Sequence, residues 1–184
     1  MGVRHRRQGG SDLEVRGSRR RARAARRARR ALDHEQGAGL ETPIRTPISI
    51  RHARRPDLPA LVAIDPLGRT EYLARAIRES KCWIARAERA AGFVVFDQTF
   101  FGYGFIWLLV VAPEYRRRGI ATSLIHYIES ICPTAKLFTS ANQSNTIMQA
   151  LCGRTGFVPS GVIDNLDDDD PEVVYYKRLR EEKT

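Results

Sequence analysis

An uninterrupted apolar run that ends at a proline constrains this chain more than any other feature. Residues 105–112 read FIWLLVVA, and a run of this length is typical of a strand that is buried on both faces of a sheet. After the segment PEYRRRG, apolar residues return at helical spacing from Ile120 to about Ile131. Because their side chains form one stripe, we expect a helix that packs on the same sheet. The stripe consists of Ala121, Leu124, Ile125, Ile128 and Ile131.

From residue 46 onwards the chain alternates between strand patterns and helix patterns. We predict strands at residues 47–53, 82–88, 92–101, 105–112, 136–141, 157–163 and 172–179, and helices at residues 56–65, 70–80, 120–131 and 144–156. Asp57, Thr70 and Ser144 stand near three helix starts and are predicted N-caps. Ala91 and Gly92 mark the predicted turn between the second and third strands. The order of the elements indicates an α/β or α+β sheet covered by helices.

Positive charge is concentrated near the beginning of the chain. The formal net charge of the 184 residues is +10, and residues 1–30 contain twelve arginines but only two acidic residues. The remainder contains nineteen basic and nineteen acidic residues. We therefore predict a disordered arginine-rich tail over residues 1–44 and a folded domain over residues 45–184 that carries little of the net charge.

The arginine-rich tail has three open interpretations. Its arginines would contact nucleic-acid phosphates irrespective of base sequence, and nucleic-acid binding is expected only through residues 1–30. An organelle-targeting segment is one alternative. An upstream extension of the reading frame without a role is the other.

The cysteines and histidines show no spacing typical of disulfides or metal ligands. They are Cys82, Cys132, Cys152, His5, His34, His52 and His126. The longest apolar run has eight residues, which is too short to cross a bilayer, and the N-terminal region lacks the apolar stretch of a signal peptide. These features favour a reduced cytoplasmic protein without metal or membrane span.

The segment PEYRRRG has the features of an anion-binding turn. The first turn of a helix presents unpaired N–H groups, and the helix dipole favours negative charge there. Gly119 lets the backbone approach a ligand, and Arg116, Arg117 and Arg118 add positive charge. Phosphate is the expected ligand, although the segment is neither a P-loop nor the dinucleotide-binding fingerprint. A solvated turn without a ligand is the alternative.

Two motifs of the chain resemble signatures of the GNAT superfamily of N-acetyltransferases. Arg116, Gly119 and Ala121 match the Q/R-x-x-G-x-G/A loop that follows the fourth strand of that family. The segment NTIMQALCGRTGF, from Asn145 to Phe157, resembles the second signature. The two motifs stand at the family's usual separation, and the resemblance covers about residues 46–180.

The resemblance implies a mixed central sheet of about seven strands, splayed between the fourth and fifth and flanked by about four helices. Acetyl-CoA would lie where these strands part, with its pyrophosphate on the N–H groups of residues 117–122 and its pantetheine arm paired like a strand with the fourth strand. Asn145 would bond the arm from the neighbouring helix. The implied cofactor-binding residues are Leu109, Val110, Val111, Arg116, Arg117, Arg118, Gly119, Ile120, Ala121, Thr122 and Asn145.

The reaction that the resemblance implies is direct acetyl transfer to a primary amine of a small molecule or peptide. The amine attacks the thioester, backbone N–H groups near Val111 stabilise the oxyanion, and a thiolate leaves without help from a metal. The acceptor is not identified, and a homodimer is possible because family members often dimerise. The alternative is a non-catalytic module that binds or senses CoA.

The chain departs from the family at the positions of its usual base and acid. Ser140 stands where the ribosomal-protein N-terminal acetyltransferases have a glutamate, and the fourth strand contains no carboxylate. Cys152 stands where the family usually has a tyrosine that acts as the general acid. We favour the interpretation of Cys152 as a small buried side chain. The catalytic residues therefore stay unassigned. The weak candidates are Ser140, Cys152 and Tyr176, followed by Tyr103, Tyr175 and Asp97.

The segment between the last two predicted strands is strongly acidic. Residues 164–172 contain six aspartates and glutamates, and the resemblance places this loop beside the acceptor entrance. Such a cluster would attract a cationic acceptor. A solvated turn and an ion-pairing surface for the arginine-rich tail are the alternatives.

Overall fold

The computed structural model describes residues 47–181, which form a sheet with helices on both faces. The strands are β1 (Ser49–His52), β2 (Cys82–Arg86), β3 (Ala90–Phe100), β4 (Tyr103–Val111), β5 (Lys136–Asn142), β6 (Val158–Ile163) and β7 (Glu172–Arg178). The helices are α1 (Leu58–Ile64), α2 (Thr70–Arg78), α3 (Ile120–Ile131) and α4 (Thr146–Arg154). The order of these elements confirms the order predicted from the sequence.

The seven strands form one mixed sheet in the order β1-β2-β3-β4-β5-β7-β6. Strands β4 and β5 are parallel, whereas every other neighbouring pair is antiparallel. A parallel pair needs a long crossover, and α3 supplies it between β4 and β5. The predicted fold class is therefore confirmed.

Each face of the sheet has its own hydrophobic core. Helices α3 and α4 cover one face, where Leu124, Ile128 and Leu151 pack with Phe96 and Leu137. Helices α1 and α2 cover the β2–β4 part of the other face, through residues that include Leu61, Leu73, Phe93 and Val95. In the predicted apolar stripe of α3, Leu124, Ile125 and Ile128 are buried, whereas Ala121 is half-buried and Ile131 is 39% exposed.

A bulge in β4 separates the half of the strand that pairs with β5 from the half that does not. Ile106 pairs with Phe96 and Leu108 pairs with Val95, so Trp107 is an extra residue on β4. On the other side of β4, pairing with β5 covers only residues 104–106 against residues 137–139. Beyond Ile106 the two strands part, and residues 107–111 have no partner in β5.

The predicted turn between the second and third strands is wrong in position. The chain turns at residues 87–89, where the N–H of Ala87 donates to the carbonyl of Arg89, and Ala91 and Gly92 lie inside β3. Gly92 is required by packing, because a Cβ atom at this position would lie 2.6 Å from the carbonyl oxygen of Val110. Gly92 therefore permits a close contact between β3 and β4, which its sequence pattern did not distinguish from a turn.

The three predicted N-caps are also corrected. The Asp57 side chain does not cap α1, because its carboxylate accepts hydrogen bonds from Arg51 and from the backbone N–H of Arg54. Thr70 is the first residue of α2, and its hydroxyl donates to the carbonyl of Gly68. At α4 the cap is Asn145 rather than Ser144, since its side-chain oxygen accepts from the N–H of Met148 at 3.1 Å. The helices begin near the predicted residues, but of these three only α4 has a side-chain cap.

Two sequence predictions concern parts of the chain outside residues 47–181. They are the disordered arginine-rich tail over residues 1–44 and its nucleic-acid contacts. Within residues 47–181, no helix is long and apolar enough to span a membrane. The three cysteines lie in this region, and all of them are buried and free.

Candidate functional site

The gap between β4 and β5 begins immediately after the last pair of residues that join them. Ile106 and Thr139 form that pair, and the Thr139 hydroxyl donates to the Ile106 carbonyl at 3.1 Å. Trp107 follows as the bulged residue, and its indole N–H donates to Asp97 at 2.7 Å. One buried hydrogen bond therefore joins β4 to β5 at the closed end of the gap, and one exposed hydrogen bond joins β4 to β3 beside it.

One wall of the gap is the second half of β4. Leu109 and Val111 are half-buried and Val110 is buried, while all three pair with β3 on their other side. Because β5 does not pair with these residues, this edge of β4 offers backbone groups to an extended ligand. The predicted positions for the cofactor arm thus coincide with the unpaired edge.

A turn with two left-handed residues joins this edge to α3. Pro113–Tyr115 form a short 3-10 turn, after which Arg117 has φ 58° and Gly119 has φ 83°. The first helical hydrogen bond runs from the N–H of Ser123 to the carbonyl of Gly119, at 2.9 Å. Within the described part of the chain, the N–H groups of residues 120–122 have no backbone acceptor. The turn therefore presents free N–H donors at the positive end of the helix dipole.

Gly119 is needed for its backbone conformation rather than for space. A Cβ atom at this position would meet no other heavy atom within 4 Å, but a φ of 83° is strained for any residue with a side chain. This left-handed residue is the N-cap position of α3 and turns the chain into the helix. The free N–H groups of residues 120–122 follow directly after it.

The three arginines of the turn are exposed, and none forms an ion pair with another residue between 47 and 181. The Arg118 guanidinium lies over the ring of Tyr115 at 5.6 Å, and Nε of Arg116 donates to the Val111 carbonyl at 3.4 Å. A cavity of about 230 Å³ beside the turn is lined by Ala87, Glu88, Glu114, Tyr115 and Arg118. The cationic groups are thus available to an external anion.

Asn145 lies at the start of α4, the helix next along the chain after β5. Its Oδ1 atom is engaged by the cap, whereas its Nδ2 atom has no hydrogen bond in the described region. The side chain is exposed, and the cap fixes its orientation. The amide group therefore has one donor end available to a ligand.

The catalytic candidates lie on opposite faces of the sheet. Ser140 and Tyr176 lie on the face that does not carry α3 and α4, because they alternate with the core residues Leu137, Ala141 and Tyr175. Both are half-buried, and the Tyr176 ring lies 6.0 Å from the ring of Phe138. The structure thus brings two of the three candidates to one side.

Cys152 belongs to the core between α4 and the sheet. Its side chain has no exposed surface, and burial raises the pKa of its thiol to about 11. It packs in the same cluster as Leu151, Phe157 and Tyr175. This buried environment suits a small apolar side chain more than a group that donates a proton during catalysis.

A second cavity, which the sequence did not indicate, lies beside the bulge of β4. It has a volume of about 280 Å³ and is lined by Tyr72, Arg75, Ala76, Glu79, Lys81, Val95, Asp97, Thr99 and Trp107. Partial burial opposes ionisation of Asp97, but hydrogen bonds from Trp107 and Thr99 outweigh it and lower the pKa of this carboxyl. Asp97 therefore stays ionised and fixes the indole of Trp107, a role that the strand alternation did not reveal.

Part of the acidic segment between β6 and β7 is hydrogen-bonded to residues that precede α4. Asp170 accepts hydrogen bonds from the N–H and the hydroxyl of Ser144, which lower the pKa of its carboxyl. Asp167 accepts from the side-chain amide of Asn142 at 2.7 Å. The segment is thereby tied beside the Asn145 cap, while Asp168 and Asp169 stay exposed. Within residues 47–181, no group of His, Cys, Asp and Glu side chains could hold a metal ion.

Comparison with known proteins identifies relatives of the chain. The family model described as "Acetyltransferase (GNAT) family" matches residues 48–157. A GNAT-family acetyltransferase structure from Bacillus cereus is 37% identical, with a TM-score of 0.68, and the match covers 72% of this chain and 97% of that protein. No curated protein matches.

Two more distant structures share the fold. The yncA structure from Salmonella typhimurium, solved with acetyl-CoA, is 14% identical with a TM-score of 0.64, over 75% of this chain and 97% of its own. The ribosomal-protein-S18-alanine N-acetyltransferase from Escherichia coli is 18% identical with a TM-score of 0.64, over 74% and 97% of the two chains.

Proposed function

Because this chain belongs to the GNAT family of acetyltransferases, we propose that it transfers the acetyl group of acetyl-CoA to a primary amine on a small molecule or peptide. The observation that carries the proposal is the junction of the β4–β5 gap with the start of α3. The gap offers an unpaired strand edge, and the helix start offers free N–H donors beside three arginines. Together they suit a ligand with a phosphate end and an arm that pairs like a strand.

The proposed cofactor contacts follow from these two elements. The pyrophosphate binds to the N–H groups of residues 117–122, and Arg116, Arg117 and Arg118 neutralise its charge. The pantetheine arm pairs with Leu109 and Val111 along the edge that β5 leaves open. The free amide end of Asn145 donates to the same arm.

In the proposed reaction a neutral amine attacks the carbonyl carbon of the thioester. The new C–N bond forms, the C–S bond breaks, and the CoA sulfur leaves as a thiolate that takes up a proton. Backbone N–H groups near Val111 stabilise the charge that develops on the carbonyl oxygen. The proton lost by the amine passes to water, because neither wall of the gap contributes a carboxylate: β4 and β5 contain none between their first and last residues.

The Ser140 hydroxyl and the Tyr176 phenol are proposed to relay these protons between the reacting atoms and solvent water. Support comes from their common face and from their half-exposed positions on β5 and β7. Cys152 is assigned a packing role, because its thiol is fully buried and its pKa is raised to about 11. Replacing Cys152 with serine is therefore expected to leave turnover largely intact.

The direct test is thiol release from acetyl-CoA in the presence of a panel of polyamines, amino sugars, amino acids and peptides. Steady-state release that depends on one acceptor class, with mass spectrometry of the acetylated product, supports amine acetyltransfer. Release of thiol without an acetylated amine would contradict it. Product analysis also shows whether nitrogen or oxygen receives the acetyl group.

The binding half of the proposal is tested with two matched glycine variants. Gly119→Ala strains the left-handed turn and is expected to weaken CoA binding about tenfold by calorimetry. Gly153→Ala serves as the control, because Gly153 lies in α4 and a Cβ atom added there would meet no neighbouring side chain within 4 Å. Equal CoA affinity in the two variants would contradict the proposed pyrophosphate site.

A second candidate function is a CoA-binding module without catalysis. It is favoured by the burial of Cys152 at the position where the family's usual acid stands and by the serine at residue 140. Such a module binds CoA in the calorimeter but releases no thiol with any member of the amine panel. The two measurements together separate the candidates.

A further inference from the structure

Thr139 has a hydroxyl group at the point where β4 and β5 part. Its side chain is only 2% exposed, and Oγ1 donates to the carbonyl oxygen of Ile106 at 3.1 Å. Ile106 and Thr139 are also the last residues that pair between the two strands. This side-chain hydrogen bond therefore closes the end of the parallel pairing.

The apolar surroundings of Thr139 would suit valine in all respects except this hydrogen bond. Leu137 and Ala141, two residues to either side on β5, are buried in the core under α3 and α4. Valine has the same branched shape and avoids the cost of burying a hydroxyl. The presence of threonine is explained if the hydroxyl is needed to hold the Ile106 carbonyl.

The Ile106 carbonyl is a sensitive position because the bulge follows directly. Trp107 is the extra residue on β4, and residues 107–111 continue along the gap without support from β5. A shift of the carbonyl at the closed end would move this edge relative to β5. At the far end, α3 and its turn are held by their own core contacts through Ile120 and Leu124.

We propose that Thr139 is a positioning residue, which sets the separation of β4 and β5 at the closed end of the gap through the Ile106 carbonyl. It thereby aligns the edge of β4 with the pantetheine and thioester end of the ligand. This inference rests on the proposed function, since it concerns the same CoA site. The inference predicts that binding of the pantetheine arm depends on Thr139, whereas binding of the phosphates does not.

The test compares CoA with adenosine 3′-phosphate 5′-diphosphate, which has the phosphates but lacks the pantetheine arm. Calorimetry with the full chain measures both ligands on wild type, Thr139→Val and Thr139→Ser. The matched control is Thr155→Val, because the Thr155 hydroxyl is also buried and also donates to a backbone carbonyl, within α4. Melting curves confirm that each variant folds, and Thr139→Ala takes the place of Thr139→Val if the latter does not.

We expect Thr139→Val to weaken CoA binding about fivefold while the affinity for the diphosphate stays within about twofold of wild type. Thr139→Ser should restore CoA affinity to within about twofold, because it keeps the hydroxyl. Thr155→Val should lose stability without a change in either affinity. Under turnover, kcat should fall in Thr139→Val and recover in Thr139→Ser.

Several results would overturn the inference. They are an equal loss of both affinities in Thr139→Val, no loss of either, or a serine variant that behaves like the valine variant. If the wild-type protein binds CoA but acetylates no amine, the proposed reaction is refuted. The ratio of the CoA affinity to the diphosphate affinity in each variant still tests the role of Thr139. If wild type binds neither ligand, both the proposed site and the role of Thr139 are refuted.

Discussion

The two ends of the β4–β5 gap are built by different physical means. At the closed end, Gly104 packs against Cys132 and Phe96, while the hydroxyls of Thr134 and Thr139 bond backbone groups of β4. At the open end, the turn before α3 has exposed arginines, left-handed residues and free N–H groups. The closed end has its polar groups satisfied inside the protein, and the open end leaves them for a ligand.

This difference separates stability from binding. Substitutions at the closed end, apart from those at Thr139, should act first on folding, because buried groups there have no space or alternative partners. Substitutions at the open end should act on ligand affinity, because exposed side chains contribute little to folding. The following predictions test that division.

The largest effect is expected from Gly104→Ala at the closed end. The added Cβ atom would lie 2.6 Å from Sγ of Cys132 and 2.9 Å from the ring of Phe96, so the core must shift. Overpacking of this kind costs about 2–3 kcal/mol in the free energy of unfolding. Denaturant titration measures the loss, and Gly153→Ala, whose Cβ meets nothing, should lose nothing. A fully stable Gly104→Ala protein would show that the closed end is not tightly packed.

A smaller effect, on affinity alone, is expected from Arg117→Gln at the open end. Removing one exposed positive charge should weaken CoA binding about threefold at low ionic strength, and added salt should reduce the difference. The free energy of unfolding should stay within about 0.5 kcal/mol of wild type. Calorimetry at two salt concentrations checks the affinity. A large loss of stability without a loss of affinity would assign the turn to folding rather than to binding.

The smallest effect is expected from Asp97→Asn beside the bulge. The pKa of Asp97 is lower in the folded protein, so its ionised form stabilises the fold above the unfolded value of about 4. That contribution disappears as the pH falls through the lowered folded pKa. The melting temperature of the variant should therefore lie below that of wild type at pH 7 and approach it below about pH 4.

The control for this comparison is Glu88→Gln, which removes one exposed carboxylate in the turn between β2 and β3. It should melt close to wild type over the same pH range. A difference between Asp97→Asn and wild type that persists at acid pH would show that the amide fails to hold Trp107 for a reason other than charge.

Much of the fold could be predicted because its signals are local. Apolar runs and stripes placed every strand and helix within a few residues, and the start of α3 was predicted at Ile120. One error arose because glycine is common in turns and also in strands that approach another backbone closely. Gly92 has the pattern of a turn glycine, but it lies in β3 against the Val110 carbonyl.

The candidate site was predictable at its open end and not at its closed end. Arg116, Gly119 and Asn145 belong to motifs whose spacing is visible along the chain. Thr139 has no motif, and its partner Ile106 is 33 residues away. The bulge at Trp107 was also invisible, because an extra residue is defined only by the register with β3.

The sequence by itself determined the order of the elements, the concentration of positive charge in residues 1–30 and the helix start that presents free N–H groups, because each depends on residues that are neighbours in the chain. Only the tertiary structure decided where β4 leaves β5, which hydroxyl holds that point, and that Cys152 lies on the other face from Ser140 and Tyr176. These features depend on strand register and on packing between distant residues, which no local pattern encodes.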